Sequence, residues 1–382
     1  MNARLSRLTA GVVILLLALG AGKAEAEFRL TGQAKTFANA PGVVEWRYKS
    51  IRGSSPFDRI ALHRTTARKL TRQGDSVVLY LPGTNMNGEV PFDDPNHSLT
   101  LYLANHGIDA WALDYRTHFV PPDTSGDGLA QLKDWTDELF ESDIDEAVRF
   151  ILDKTHREKI FIAGFSHGVS LAYLYAAAHP SHVHGLIVLD GFVLDSGLAA
   201  RRRPRPEAAN PYADDLGGAH LTFDKRRALL ELVIRDPDAA APIPKYKTAR
   251  ENLEHVVADS AAFGGHGGLA NPQGGYSDAV VLAKEMITFD RWWPSVQDGE
   301  TSLTPDLKES LKNSGIPVIA FTSTNIAPQW PEMVATSARL TGTPDVTIIT
   351  LAHEGHLDVL VGTRDVADVF EPIVQWIKRH PK

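Results

Sequence analysis

Ile160-Phe161-Ile162-Ala163-Gly164-Phe165-Ser166-His167-Gly168 is the stretch that decides how this chain folds. Its first four residues are an apolar run of the kind that makes a fully buried strand. The alanine-rich stretch from Ser170 to His179 follows and reads as a helix. Ser166 therefore stands at the tip of a tight strand-to-helix turn. G-x-S-x-G in that position is the pattern of a nucleophile elbow, where the serine backbone is strained and flanking side chains would clash. About 190 residues later, His353-Glu354-Gly355-His356-Leu357-Asp358 follows a second apolar run, Val346 to Leu351. An exposed serine with a distant histidine supplies a nucleophile and its base.

The pattern outside this stretch alternates strands and helices. Val43 to Ser50 and residues 59–65 read as early strands, and Val77 to Leu81 as a wholly apolar one. His97 to Asn105 reads as a short amphipathic helix, and Ala110 to Leu113 as a strand ending at Asp114-Tyr115-Arg116. Trp135, Leu139, Ile144, Ala147, Val148 and Ile151 recur at helical spacing and predict a helix over 134–154. The acidic residues Asp137, Glu138, Glu141, Asp145 and Glu146 fall mostly on its other face and read as solvated surface. After the elbow come a strand at 186–189, ending at Asp190, and, about 125 residues later, another at 317–321. The alternation predicts an α/β fold: a mostly parallel sheet with helices on both faces. The core would hold residues 27–194 and 301–382. Residues 195–300 read as a largely helical cap inserted at the C-terminal edge of the sheet, where active sites lie. Helical patterns fall at 223–234, 249–257 and 279–287. The insertion also holds the basic cluster Arg201-Arg202-Arg203 and a glycine-rich stretch, Gly264 to Gly275, read as a loop over the entrance.

Residues 1–26 read as a cleavable signal peptide and not as part of the fold. Arg4 and Arg7 precede the apolar run Leu8 to Leu19, and Ala24-Glu25-Ala26 offers an A-x-A cleavage site. The run is short for a stable membrane span, so a secreted or periplasmic protein is expected. The 382 residues contain no cysteine, which excludes a thiol nucleophile and thiolate zinc sites. A formal net charge of −8 argues against nucleic acid as a partner. No cofactor is implied, and the oligomeric state is not legible.

With the strands placed, the chain resembles the acid lipases of the gastric and lysosomal type, within the α/β-hydrolase superfamily. His97 to Trp111 is similar to that family's N-S-L-x-x-x-L-A-x-x-G-x-D-V-W. Glu138 to Gly168 is similar to its D-E…F-I…E-K-I…G-x-S-x-G, and His356 to Asp365 to its H-L-D-F-x-x-G-x-D-A. The likeness covers the core and not the cap. It implies the α/β-hydrolase fold and serine ester hydrolysis. Two departures stand out. Pro82-Gly83 replaces the family's His-Gly, and Thr322-Ser323-Thr324-Asn325 replaces its Gly-x-x-Asp, so Asn325 stands where the triad carboxylate belongs.

The expected chemistry follows. Ser166 attacks, and His356 is the general base, with His353 as its rival. Both belong to a poor zinc pattern, so no catalytic metal is expected. The backbone N–H groups of Thr84 and His167 would form the oxyanion hole. Asn85 and Asn87 read as added side-chain donors or as turn residues. An amide cannot stabilise the imidazolium, and such an exchange costs roughly 10⁴ in turnover. Asp190, on the strand between the elbow strand and the Asn325 strand, is therefore the expected orienting acid, with Glu332 and Glu354 in reserve and Asp358 read as a helix cap. Trp292 and Trp293, with Phe289, Tyr276 and Trp330, line a substrate pocket or pack the cap on the core. The expected substrate is a small carboxylic ester. A peptide or amide substrate, or a catalytically weak binding protein on the same scaffold, are the alternatives.

Overall fold

The apolar run before the elbow lies near the centre of a nine-stranded sheet. The computed structural model describes residues 27–50, 55–68, 76–195, 212–213, 223–258, 277–294 and 302–381. Residues 1–26, expected to be a leader, the basic cluster, the glycine-rich stretch and Tyr276 lie outside them. The sheet is built from β1 (Phe28–Thr36), β2 (Val43–Ser50), β3 (Ala61–Ala67), β4 (Val77–Leu81), β5 (Asp109–Asp114), β6 (Ile160–Phe165) and β7 (Val183–Leu189). Four two-residue strands follow, β8 (Leu194–Asp195), β9 (Tyr212–Ala213), β10 (Trp293–Pro294) and β11 (Ser302–Leu303), and the sheet resumes with the six-residue strands β12 (Val318–Ser323) and β13 (Val346–Leu351). The strand order is β1-β2-β3-β5-β4-β6-β7-β12-β13. Strands from β5 onward in that order pair in parallel, while β1, β2 and β3 are antiparallel additions at one edge. This is the α/β-hydrolase fold.

Alternation along each strand feeds two cores, one on each face. Val77, Leu79, Leu81, Ile160 and Ile162 face one core, with the helices Asp137–Thr155 and His167–Ala178. Val78, Tyr80, Phe161, Ala163 and Phe165 face the other. That second core is closed by Leu99–Asn105, by Glu371–Arg379 and by the insertion helices Phe223–Arg235, Ala249–Ala258 and Ala279–Met286. Between β7 and β12 the described residues add nothing to the large sheet.

Several local readings change in the structure. Strand β1 has no sequence signature, because as an edge strand it is mostly exposed and needs no apolar alternation. The long helix begins at Asp137 because a 3₁₀ stretch, Gly126–Asp134, precedes it. Its acidic face is not simply solvated: Glu141 and Asp145 reach His179, and Glu146 accepts from Ser50 at 2.8 Å. Arg116 makes a bidentate pair with the buried Asp143 of that helix, at 2.7 and 2.8 Å, and is itself buried, which makes it a structural residue. Among the described residues no helix is long and apolar enough to cross a membrane.

The turn at Ser166 is held by close backbone packing. A Cβ on Gly168 would fall on the Leu81 carbonyl oxygen of β4, and one on Gly164 would fall on the Gly168 carbonyl. Backbone cannot yield as a flexible side chain can, so overpacking here belongs at the severe end of its usual range. Gly168→Ala is expected to destabilise the protein by about 3 kcal/mol or more, read as a lower urea midpoint with an unchanged m-value.

Candidate functional site

Ser166 has φ 54° and ψ −123°, a conformation that a non-glycine residue adopts only when its surroundings enforce it. Its N–H donates to the Leu189 carbonyl of β7 at 3.0 Å, which ties the elbow to the next strand. The residue after Leu189 is Asp190. It also has a positive φ, 52°, and its N–H donates to Phe321 of β12 at 3.0 Å. The backbone thus turns sharply at the C-terminal ends of two adjacent strands, and both turns present a polar side chain at the same edge.

Asp190 is fully buried. Its Oδ2 lies 2.7 Å from His356 Nδ1 and accepts from Ser323 Oγ at 2.7 Å. Its Oδ1 accepts from Ser323 N at 2.7 Å and from Trp330 Nε1 at 2.9 Å. The bond at Nδ1 assigns the His356 tautomer, with the proton on Nδ1 and the lone pair on Nε2. The His356 ring lies 4.6 Å from the ring of Phe165, the residue before Ser166, and 5.9 Å from Trp330, edge-on. The elbow, the histidine loop and Asp190 are therefore one packed unit. Trp330 and Ser323 escaped the sequence reading in this role. In the sequence Trp330 reads as pocket or packing, and Ser323 sits in an unremarkable Thr-Ser-Thr run.

Asn325 does something else. Its N–H donates to Glu354 O at 3.1 Å and its Nδ2 to His353 O at 2.8 Å, while Thr324 Oγ1 accepts from His353 N at 2.8 Å. The loop after β12 braces the histidine loop. His353 itself is exposed, with φ 65°, and Glu332 is exposed. Asp358 does not cap a helix from outside. It is the first residue of the helix Asp358–Val361, and its carboxylate accepts from Gly355 N at 2.7 Å and from Ser277 Oγ.

On the other side of the elbow, Gly83 packs so closely that a Cβ on it would lie 3.1 Å from Ser166 Cβ. Thr84 follows directly and is half-buried. His167 is the first residue of its helix, where an N–H has no intrahelical acceptor. The Asn85 amide donates to the carbonyls of Asp290 and Arg291 at 2.9 and 3.2 Å, and Asn87 Nδ2 to Thr288 O at 2.7 Å. Both amides bind the return of the insertion. Trp292 Nε1 donates to Pro121 O at 3.0 Å, and Trp293 is fully buried against Tyr115, Phe140 and His167. These two indoles pack the insertion's return onto the core.

The return is also held electrostatically. His118 Nδ1 lies 2.9 Å from Asp290, and His63 joins Glu45, at 2.5 Å, to Asp114, at 3.0 Å. Burial opposes charge on both histidines, but Asp114 and its fellow carboxylates outweigh it and push His63 up to about 10 and His118 up to about 9. Burial likewise opposes ionisation of Asp114, yet His63 and His118 hold it well below the usual carboxylate range. Asp114 Oδ1 also accepts from Gly88 N at 2.9 Å, so this charged chain anchors the loop that carries Thr84.

A sequence model of the alpha/beta hydrolase family matches residues 78–369. Human serine hydrolase BPHL is 30% identical over 118 residues, 31% of this chain and 36% of that protein. Human lipase member M is 30% identical over 89 residues, 22% of this chain and 21% of that one. The chain thus matches only about a third or less of these relatives' lengths. A crystal structure from Sulfolobus solfataricus, provisionally described as a lipase, is similar over 92% of this chain and 99% of its own, with a TM-score of 0.68 and 25% identity.

Glu354, beside the histidine, is buried, and its Oε2 has no hydrogen-bond partner. Burial, then the charges of Asp358 and Asp368, push its carboxyl up to about 7. A raised carboxyl contributes stability that is complete below its unfolded pKa and is lost as pH rises through about 7. Glu354→Gln is therefore expected to raise the thermal midpoint relative to the wild type at pH 8 and to lose that advantage at pH 5. Parallel Tm–pH curves for the two proteins would contradict this.

Proposed function

The chain belongs to the alpha/beta hydrolase family, and from that premise we propose that it is an exported serine hydrolase of carboxylic esters. One observation carries the reading: a buried carboxylate, Asp190, bonded at 2.7 Å to Nδ1 of His356. Ser166 Oγ attacks the acyl carbonyl while His356 Nε2 takes its proton. The imidazolium then gives that proton to the departing alcohol, which leaves an acyl-enzyme on Ser166. Water repeats the sequence and frees the acid. Asp190 holds the imidazole in the productive tautomer and stabilises the imidazolium without itself taking the proton. The N–H groups of Thr84 and His167 stabilise the oxyanion, each worth roughly 3–4 kcal/mol of transition-state stabilisation. No step calls for a metal. Ester in preference to amide rests on the lipase-like resemblance of the core and on the lipase relatives. Export rests on the leader pattern of residues 1–26.

The alternative, a catalytically weak binding protein, rests on the neutral Asn325. The Asp190–His356 bond favours the enzyme, because it gives the histidine an anionic partner without needing one at 325.

Ser166→Ala and His356→Ala are each expected to abolish hydrolysis of p-nitrophenyl esters with the fold retained. Asp190→Asn should lower turnover by roughly 10³–10⁴, while Asn325→Asp changes it little. The reverse ranking in kcat would move the acid to position 325. Trp330→Phe removes one donor to the Asp190 carboxylate and keeps an aromatic ring. The loss should appear as a smaller kcat with KM nearly unchanged, and a KM effect alone would assign Trp330 to the substrate pocket. Matched p-nitrophenyl ester and p-nitroanilide substrates decide between esterase and amidase.

A further inference from the structure

At the far end of the helix that starts at Ser166, a second cluster of polar side chains has no part in the proposed chemistry. Asp145 comes from the helix Asp137–Thr155. His179 caps the helix His167–Ala178, and His182 ends the 3₁₀ turn Pro180–His182 that leads into β7. Among the described residues this is the group of histidine and acidic side chains that could hold a metal ion. We propose that Asp145, His179 and His182 form a binding site for a divalent transition-metal ion of the Zn²⁺ type, which staples the two helices together behind the elbow.

The argument begins with distance. One ligand atom from each residue lies within 4.8 Å of the others, and Asp145 Oδ1 is 3.8 Å from His179 Nδ1 and 4.0 Å from His182 Nδ1. Zinc bonds of about 2.0–2.2 Å place tetrahedral ligand pairs about 3.4 Å apart, so movements of about an ångström complete the shell. The second step concerns the proton. His179 Nε2 lies 2.6 Å from Glu141 Oε1. A carboxylate on one ring nitrogen fixes the tautomer and turns the other nitrogen into a lone-pair donor, as around metal-bound histidines. An ion between His179 Nδ1 and Asp145 Oδ1, which lie 3.8 Å apart, takes the place of any proton on Nδ1. Asp145 keeps its other oxygen, Oδ2, on Arg149 Nε at 3.0 Å, while Oδ1 faces the histidine pair and the Tyr175 hydroxyl.

Access and geometry agree with this. The side chains of Glu141, Asp145, His179 and His182 are 19 to 31% exposed, so an ion can enter and keep a water as its fourth ligand. The two imidazole planes are within 4° of parallel, with centroids 5.7 Å apart. Tyr175 OH now lies 2.8 Å from His182 Nδ1 and 3.4 Å from Asp145 Oδ1. It is the group that an incoming ion displaces. The twelve-residue helix separates the site from Ser166 by about 18 Å at 1.5 Å per residue. The ion would act on helix stability and not on the ester.

The test uses the full chain after chelation and dialysis. Zn²⁺ is titrated calorimetrically, and Co²⁺ is followed by its visible absorption. One equivalent should bind with a tetrahedral Co²⁺ spectrum, and Tm should climb with Zn²⁺ concentration. His179→Gln and His182→Gln should each abolish the spectrum and the Tm response. Glu141→Gln should weaken binding roughly 10–100-fold. Tyr175→Phe removes the competing phenol and should tighten binding, which keeps the proposal testable if a histidine variant fails to fold. Ester turnover should survive chelation. Absence of binding at submillimolar Zn²⁺, or binding unchanged in a folded His179→Gln variant, would overturn the site. Turnover lost on chelation and restored by Zn²⁺ would instead overturn its separation from the chemistry.

Discussion

A single buried negative charge organises this edge of the molecule. An unpartnered carboxylate taken out of water carries a penalty of several kcal/mol, and it is tolerated only where hydrogen bonds satisfy its oxygens. Asp190 is fully buried and receives Ser323 N, Ser323 Oγ and Trp330 Nε1 in addition to His356. Three of these four partners come from β12 and the helix that follows it. The strand that in the acid-lipase pattern would end in a triad acid here ends in donors. A second carboxylate at 325 would gain little, because the donors that would stabilise its charge already point at position 190.

The same logic explains the left-handed backbone at Ser166 and Asp190. Both lie at strand ends where the chain must turn within one residue, and both are locked by N–H bonds to the neighbouring strand, to Leu189 and Phe321 respectively. Aspartate tolerates this region better than most residues. Strain at two adjacent strand ends aims both side chains from rigid sheet rather than from loops. His356 arrives from a loop and is fixed by what it touches: Asp190 at one nitrogen, Phe165 against its face and Trp330 at its edge.

Much of this was legible in the chain. The elbow, the parallel strands and the helices of the insertion all follow from apolar periodicity and from Gly164 and Gly168. Asp190 could be singled out because Asn325 occupies the expected seat and Leu189-Asp190-Gly191 ends a buried strand. What could not be read falls into two kinds. Strand β1 is an edge strand whose exposure leaves no pattern. Partnerships between segments far apart, such as Trp330 with Asp190 or Asn85 with Asp290, depend on three-dimensional packing, which periodicity does not encode. Trp292 and Trp293 illustrate the limit: two adjacent indoles in an insertion read equally as pocket or as packing, and only the Pro121 carbonyl and the Tyr115 and Phe140 rings show them packed.

The charged chain through Glu45, His63, Asp114, His118 and Asp290 connects the antiparallel edge to the insertion's return. It lies where β5 ends, beside the loop that carries Thr84, and Asp114 holds that loop through Gly88. Each histidine sits between two carboxylates, so removing either histidine would leave buried acids facing one another, a far larger penalty than the loss of one hydrogen bond. That dependence makes the antiparallel strands more than an ornament on the parallel core. They supply Arg47 and His63 beside the buried Asp114, while His118, from the turn after β5, faces Asp290, and those two acids in turn fix the loop on the far side of Ser166. The elbow is thereby held from both directions, by Asp190 and its donors on one flank and by this ion chain on the other.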